Sequence, residues 1–165
     1  PYTLKSGRQS DWFIDAKATT CSPEGMLLVA DAALEVIPAD VTAIGGLTVG
    51  ADAMAYAIAA IAATRGRMLT SFTVRKEAKA GGTGGRIAGV LTPGAKVVIT
   101  EDAVTRGVSM LEAAEVVRDE GRADPGLLLP LVDRGGTVAA LADAAGIPLH
   151  ALGPAPARGF DYDAG

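Results

Sequence analysis

The 165-residue sequence contains one cysteine, Cys21, and one histidine, His150. A lone cysteine excludes a disulfide framework and a cysteine zinc site, which makes a reducing cytoplasm the expected location. Long apolar runs are missing too. Charges interrupt every one, so no stretch is suited to cross a bilayer as a helix. No signal-peptide pattern opens the chain, which starts at Pro1 rather than Met, and residues preceding Pro1 are expected. There is no internal repeat and no low-complexity tract. Nor is there an excess of positive charge. The 15 Lys and Arg face 19 Asp and Glu, and the net charge of −4 argues against a general nucleic-acid binder. Any anionic ligand must then be held by local clusters of Lys, Arg and backbone N–H groups.

What remains is an ordinary globular composition, 49% hydrophobic and 21% charged, of a length suited to one domain spanning residues 1–165. Ser22 followed by Pro23 marks a helix start, and the apolar pattern carries that helix to Ile37. A short strand is expected at 41–44, a glycine-punctuated turn after it, and an alanine-rich helix over 51–64. A strand at 68–74 leads into residues 76–85, which are polar, rich in glycine and without apolar periodicity. Residues 96–100 (KVVIT) form a β-branched run suited to a strand buried on both faces. A helix over 109–120, a strand over 127–132, a helix over 135–145 and a last strand over 147–152 complete the pattern, with 153–165 a loose tail. Pro130 inside its strand predicts an edge or a bulge. Alternating strands and helices predict an α/β domain with a mainly parallel central sheet flanked by helices.

The densest chemistry follows the 96–100 strand. Glu101 and Asp102 are delivered together to its C-terminal end, where ligands bind in open α/β sheets. Ala103, Val104, Thr105, Arg106, Gly107, Val108 and Ser109 then lead into a helix. Backbone N–H groups, hydroxyls and the helix N-terminus together suit a phosphate. Carboxylates beside a phosphate cradle make sense if they face sugar hydroxyls while the loop holds a phosphate on the same sugar. Read alone, the segment is also compatible with a plain strand-to-helix turn. A second cluster, Arg75, Lys76 and Lys79, precedes glycines at 81, 82, 84 and 85; it fits either a flexible cationic lid over a polyanion or a solvated surface loop.

These segments carry a family resemblance. The run from Val97 to Ser109 resembles the ribose-phosphate motif of the type I phosphoribosyltransferases, with Arg106 where small residues are commoner. The Arg75-Lys76-Glu77-Ala78-Lys79 run resembles the mobile catalytic loop of orotate phosphoribosyltransferases, with Gly81 in place of the loop's histidine. Leu4-Lys5-Ser6-Gly7, followed by Ser10 and the aromatic pair Trp12-Phe13, resembles the base-specificity segment of the same family, without the helix that usually precedes it. Gly45 to Ala51 resembles a pyrophosphate-approaching loop, with Val49 where many members carry Lys, and Asp133-Arg134 resembles the place of an Arg that meets the orotate carboxylate.

The resemblance implies a type I phosphoribosyltransferase fold with a small N-terminal hood (residues 1–20) and a flexible catalytic loop (76–85). It implies transfer of a phosphoribosyl group from 5-phosphoribosyl-1-pyrophosphate to orotate, with Mg²⁺ carried by the substrate rather than bound directly by protein ligands. Lys76, Lys79, Glu101 and Asp102 would carry catalysis. Lys5, Thr48, Val49, Arg75, Lys76, Lys79, Gly81 and the run Glu101 to Ser109 would hold the phosphoribosyl donor. Lys5, Phe13, Ile14, Thr105 and Arg134 would hold orotate, while His150 would be structural. A homodimer with a site shared between subunits is expected, with neither nucleic acid nor membrane as partner. A phosphoribosyltransferase for another base, or a non-catalytic sensor of the same donor, stays open.

Overall fold

The computed structural model describes residues 2–3, 9–10, 14–81 and 84–154. The elements, in chain order, are β1 (Tyr2–Thr3), β2 (Gln9–Ser10), α1 (Ala16–Thr20), α2 (Pro23–Val36), β3 (Ala43–Gly45), α3 (Asp52–Thr64) and β4 (Thr70–Lys79). They continue with β5 (Gly85–Gly89), β6 (Lys96–Val104), α4 (Val108–Asp119), β7 (Asp124–Asp133), α5 (Val138–Ala145) and β8 (Gly153–Pro154). Six strands make one sheet in the order β5-β4-β3-β6-β7-β8, parallel except for the antiparallel β4–β5 pair. Strands β1 and β2 form a separate antiparallel pair.

β6 explains why the sheet is covered on both faces. Val97 and Ile99 join Phe72, Val74, Met110, Val117 and Val138 in one buried cluster, under α4 and α5. Val98, between them, joins Ile44, Met26, Val29, Met54 and Ile58 in the other, under α2 and α3. Alternate residues of one strand thus feed two cores, which requires the continuous apolar run seen in the sequence. The helix starts follow their caps. Ser22 Oγ accepts the Gly25 N–H at 3.1 Å, with Pro23 in the first helical turn of α2.

Four expectations are corrected. The strand expected to end at Val74 continues to Lys79, and β5 was not foreseen; Lys79 pairs with Gly85 across the hairpin. The sequence there lacks strand periodicity, but an antiparallel partner supplies the backbone bonds that propensity does not. Pro130 marks neither an edge nor a bulge, since β7 lies between β6 and β8 and the register shift falls between Val97 and Val98. Its carbonyl accepts from Leu152 N–H at 3.1 Å, so its missing donor faces the sparsely paired β8 side. In place of a strand over 147–152 there is one bridge, Leu128 to Leu149, and the paired residues are Gly153–Pro154. Those two residues are therefore strand rather than loose tail; the rest of the tail lies outside the described residues.

Candidate phosphoribosyl site

The chain steps from β3 to β4 on one side of the sheet and from β6 to β7 on the other, so the order reverses between β3 and β6. Such a switch point opens a crevice at the carboxyl ends of the strands, where ligands bind in folds of this kind. The loops after β3, β4, β6 and β7 all emerge there, bringing together most of the predicted site.

β6 runs on to Val104, so Glu101 and Asp102 sit inside its last turn of pleat rather than after it. Thr105 to Gly107 then turn the chain into α4. Gly107 caps that helix at φ 82°, a left-handed conformation suited to glycine, and a Cβ there would lie 2.7 Å from Val138 Cγ2. Glu101, Ala103, Val104, Arg106, Gly107, Val108, Ser109 and Met110 line a cavity of about 180 Å³ at the helix N-terminus. That volume, backbone N–H groups and a helix dipole together suit a phosphate.

The two carboxylates have different surroundings. Burial, reinforced by the neighbouring Asp102 carboxylate, pushes Glu101 from 4.5 up to about 8. Asp102 Oδ1 accepts the Ala103 N–H at 2.8 Å, and Oδ2 pairs with the Lys17 ammonium from α1. The hydrogen bond to Asp102 raises the pKa of Lys17 above its usual value. From across the crevice, the loop after β3 closes in: a Cβ at Gly50 would overlap Glu101 Oε1. That loop carries Thr48 and the exposed Val49, joined by a cis peptide. Asp52, at the start of α3, fastens it by accepting Thr48 Oγ1 at 2.7 Å and Thr73 Oγ1 at 2.6 Å.

Arg75, Lys76 and Lys79 lie on the part of β4 that projects past the bridge between Leu47 and Val74. Lys76, Lys79 and Gly81 are exposed. Arg86 ties the hairpin to α4: its side chain pairs with Glu112, its Nε donates to Arg75 O at 2.8 Å, and its N–H donates to Glu120 Oε2 at 2.8 Å. Arg134 follows β7, with its N–H donating to Val104 O at 2.9 Å beside the Thr105 turn. Ile14 is half-buried just before the α1 cap residue Asp15, while Lys5 and Phe13 lie outside the described residues. His150 is exposed, with its N–H on Leu128 O at 2.9 Å, far along the chain from these loops.

Sequence reasoning missed Lys17, Asp52 and Arg86. Lys17 belongs to no motif, and only the packing of α1 against β6 brings it to Asp102. Asp52 at a helix start has a legible acidic-first-turn signal, but its two threonine partners come from separate segments.

A mainly parallel open sheet whose switch point holds a half-buried acidic pair, followed directly by a phosphate-sized cradle at a helix N-terminus, fits the class of the type I phosphoribosyltransferases. The comparisons narrow it. No family model matches the chain. The sequence is 41% identical to an orotate phosphoribosyltransferase of Streptomyces coelicolor, over 92% of this chain and 84% of that one. It is 38% identical to that of Aquifex aeolicus, over 92% and 82%. The fold is similar to that of Mycobacterium tuberculosis H37Rv orotate phosphoribosyltransferase crystallised with 5-phospho-alpha-D-ribosyl 1-diphosphate, with a TM-score of 0.80 and 28% identity over 96% of this chain and 90% of that one. The chain belongs to the orotate phosphoribosyltransferase family.

Proposed function

We propose that this chain transfers the phosphoribosyl group of 5-phosphoribosyl-1-pyrophosphate to orotate, giving orotidine 5′-monophosphate and pyrophosphate in pyrimidine biosynthesis. One observation carries the reading: the Glu101–Asp102 pair adjoins the cradle at the crevice between β3 and β6. A carboxylate pair accepts hydrogen bonds from vicinal hydroxyls, and the cradle takes the phosphate on the same sugar.

On this reading Glu101 and Asp102 hold the ribose hydroxyls, and the Thr105–Ser109 turn holds the 5′-phosphate. Lys5, Thr48, Val49, Arg75, Lys76 and Lys79, with Gly81 beyond them, address the pyrophosphate. Lys5, Phe13, Ile14 and Thr105 surround the base, and Arg134 meets the orotate carboxylate as a charge-assisted pair. As pyrophosphate leaves, positive charge develops at the anomeric carbon. The protein's task is to position both substrates, neutralise the leaving group and exclude water. No side chain serves as a covalent nucleophile.

Among the described residues, no group of three or more His, Cys, Asp or Glu stands together to hold a metal ion. The acidic pair and the open crevice would fit Mg²⁺ arriving on the donor, with Glu101 and Asp102 beside it at the ribose hydroxyls. When bound, the ion offsets pyrophosphate charge.

The hairpin tip is read as a lid that closes when an anion arrives, and the assembly as a homodimer whose hairpin reaches the neighbouring subunit's site. Lys76 and Lys79 are exposed, Arg75 is half-buried, and the sequence places glycines at 81, 82, 84 and 85, which supports an adjustable arm. Among the described residues no helix is long and apolar enough to cross a membrane, and a cytoplasmic location without nucleic-acid or membrane partners is proposed with the function. The test is an assay with phosphoribosyl pyrophosphate, Mg²⁺ and, separately, orotate, uracil and hypoxanthine. Orotate alone should be consumed; turnover of another base at equal rate, or of none, overturns the reading.

A further inference from the structure

The Lys17–Asp102 pair links the short helix α1 to the ribose end of the site and is used by no step above. Lys17 is half-exposed, with 52% of its side chain accessible, whereas Asp102 is 13% accessible. The ammonium therefore reaches in from solvent to a carboxylate that the protein has largely enclosed. Its platform is fixed: Asp15 Oδ1 caps α1 by accepting the Ala18 N–H at 3.3 Å, Ala16 and Thr20 are buried, and α1 packs against α2 and β6.

Both Asp102 oxygens are thereby engaged, Oδ1 by the Ala103 N–H and Oδ2 by Lys17. A carboxylate has about four lone-pair directions, so each oxygen still has room to accept from a sugar hydroxyl. Glu101, next in the strand, is pushed up to about 8 and holds its proton at neutral pH. The like charge that Asp102 would meet is therefore that of the incoming anionic donor, and a cation at this point offsets it.

Resting on the phosphoribosyl reading above, we propose that Lys17 is a positioning residue for the ribose site. It holds the Asp102 carboxylate in one orientation and offsets its charge, so that the ribose hydroxyls meet a preset acceptor. The phosphate cradle, built from the Thr105–Ser109 turn and the start of α4, does not depend on it.

Calorimetry with two probes separates these parts: ribose 5-phosphate, which carries the hydroxyls, and inorganic phosphate, which does not. The wild type should bind ribose 5-phosphate more tightly than phosphate. Lys17→Ala should lose roughly tenfold in ribose 5-phosphate affinity while phosphate affinity stays within about twofold, and Lys17→Arg should recover most of the loss. In steady-state kinetics, the KM for phosphoribosyl pyrophosphate should rise about tenfold in Lys17→Ala, with kcat changed less. Equal loss for both probes, no loss, or tighter ribose 5-phosphate binding overturns the role of Lys17 and leaves the phosphoribosyl reading standing. A wild type that binds neither probe overturns both.

Discussion

The cradle after β6 and the hairpin of β4 and β5 stand on opposite sides of the same crevice, and they are built in opposite ways. β6 is an interior strand whose Val97, Val98 and Ile99 are fully buried, and the acidic side chains that follow them, Glu101 and Asp102, are half-buried. The hairpin is the sheet's edge, and beyond Val74 its side chains are half-buried or exposed, held to α4 chiefly through Arg86. Depth costs the first region something: Glu101 is pushed up to about 8 because its charge is hard to solvate there. The second region instead leaves Lys76 and Lys79 in solvent. A site that must grip one part of a substrate tightly and release another as product gains from this division.

The sharpest break of the comparison removes the half-buried acidic pair. Glu101→Gln with Asp102→Asn should lower kcat/KM by about a thousandfold or more, since preorganised polar groups of this kind are worth roughly a hundred- to a thousandfold each. The fold should survive, because neither side chain belongs to the two apolar clusters. Near wild-type turnover would remove the ribose assignment.

Arg134→Ala tests the base end. Losing a charge-assisted contact typically costs about 1.5–3 kcal/mol, so the KM for orotate should rise roughly ten- to a hundredfold, and that for phosphoribosyl pyrophosphate much less. Equal effects on both would count against Arg134 as the reader of the carboxylate.

A smaller signal bears on whether the two regions come from different subunits. Mixing inactive Lys79→Ala with the inactive double carboxylate variant should restore roughly a quarter of wild-type activity in a statistical mixture of dimers. No recovery despite subunit exchange would confine each hairpin to its own site.

The smallest effect is on stability. The folded protein retains a proton on Glu101 that the unfolded chain gives up near pH 4.5, because the folded pKa is about 8. That contribution to stability is complete below about pH 4.5 and is lost as pH rises through 8. Between pH 5 and 9 the wild-type melting temperature should fall more steeply than that of Glu101→Gln, by about 2–4 °C for each kcal/mol involved. Parallel curves by scanning calorimetry would contradict the burial argument.

The same contrast governs what the sequence discloses. KVVIT followed by two acids is legible because a strand buried on both faces needs a continuous apolar run, and a cradle needs Thr, Gly and Ser before a helix. The hairpin is not, because β5 carries glycine at both ends, with φ of 66° and 100°, and takes its order from pairing with β4. Pro130 misleads since its effect depends on which neighbour its missing N–H faces, which only the sheet order decides. Lys17 and Asp52 act on partners in distant segments, and no local pattern announces them.

The central claim is that the buried strand end holds the ribose while the exposed hairpin holds the pyrophosphate. Calorimetric titration of ribose 5-phosphate and of Mg²⁺-pyrophosphate into two variants tests it most directly. The double carboxylate variant should lose at least about tenfold in affinity for ribose 5-phosphate and keep pyrophosphate binding, and Lys76→Ala with Lys79→Ala should do the reverse. Parallel losses of both ligands in both variants would contradict it.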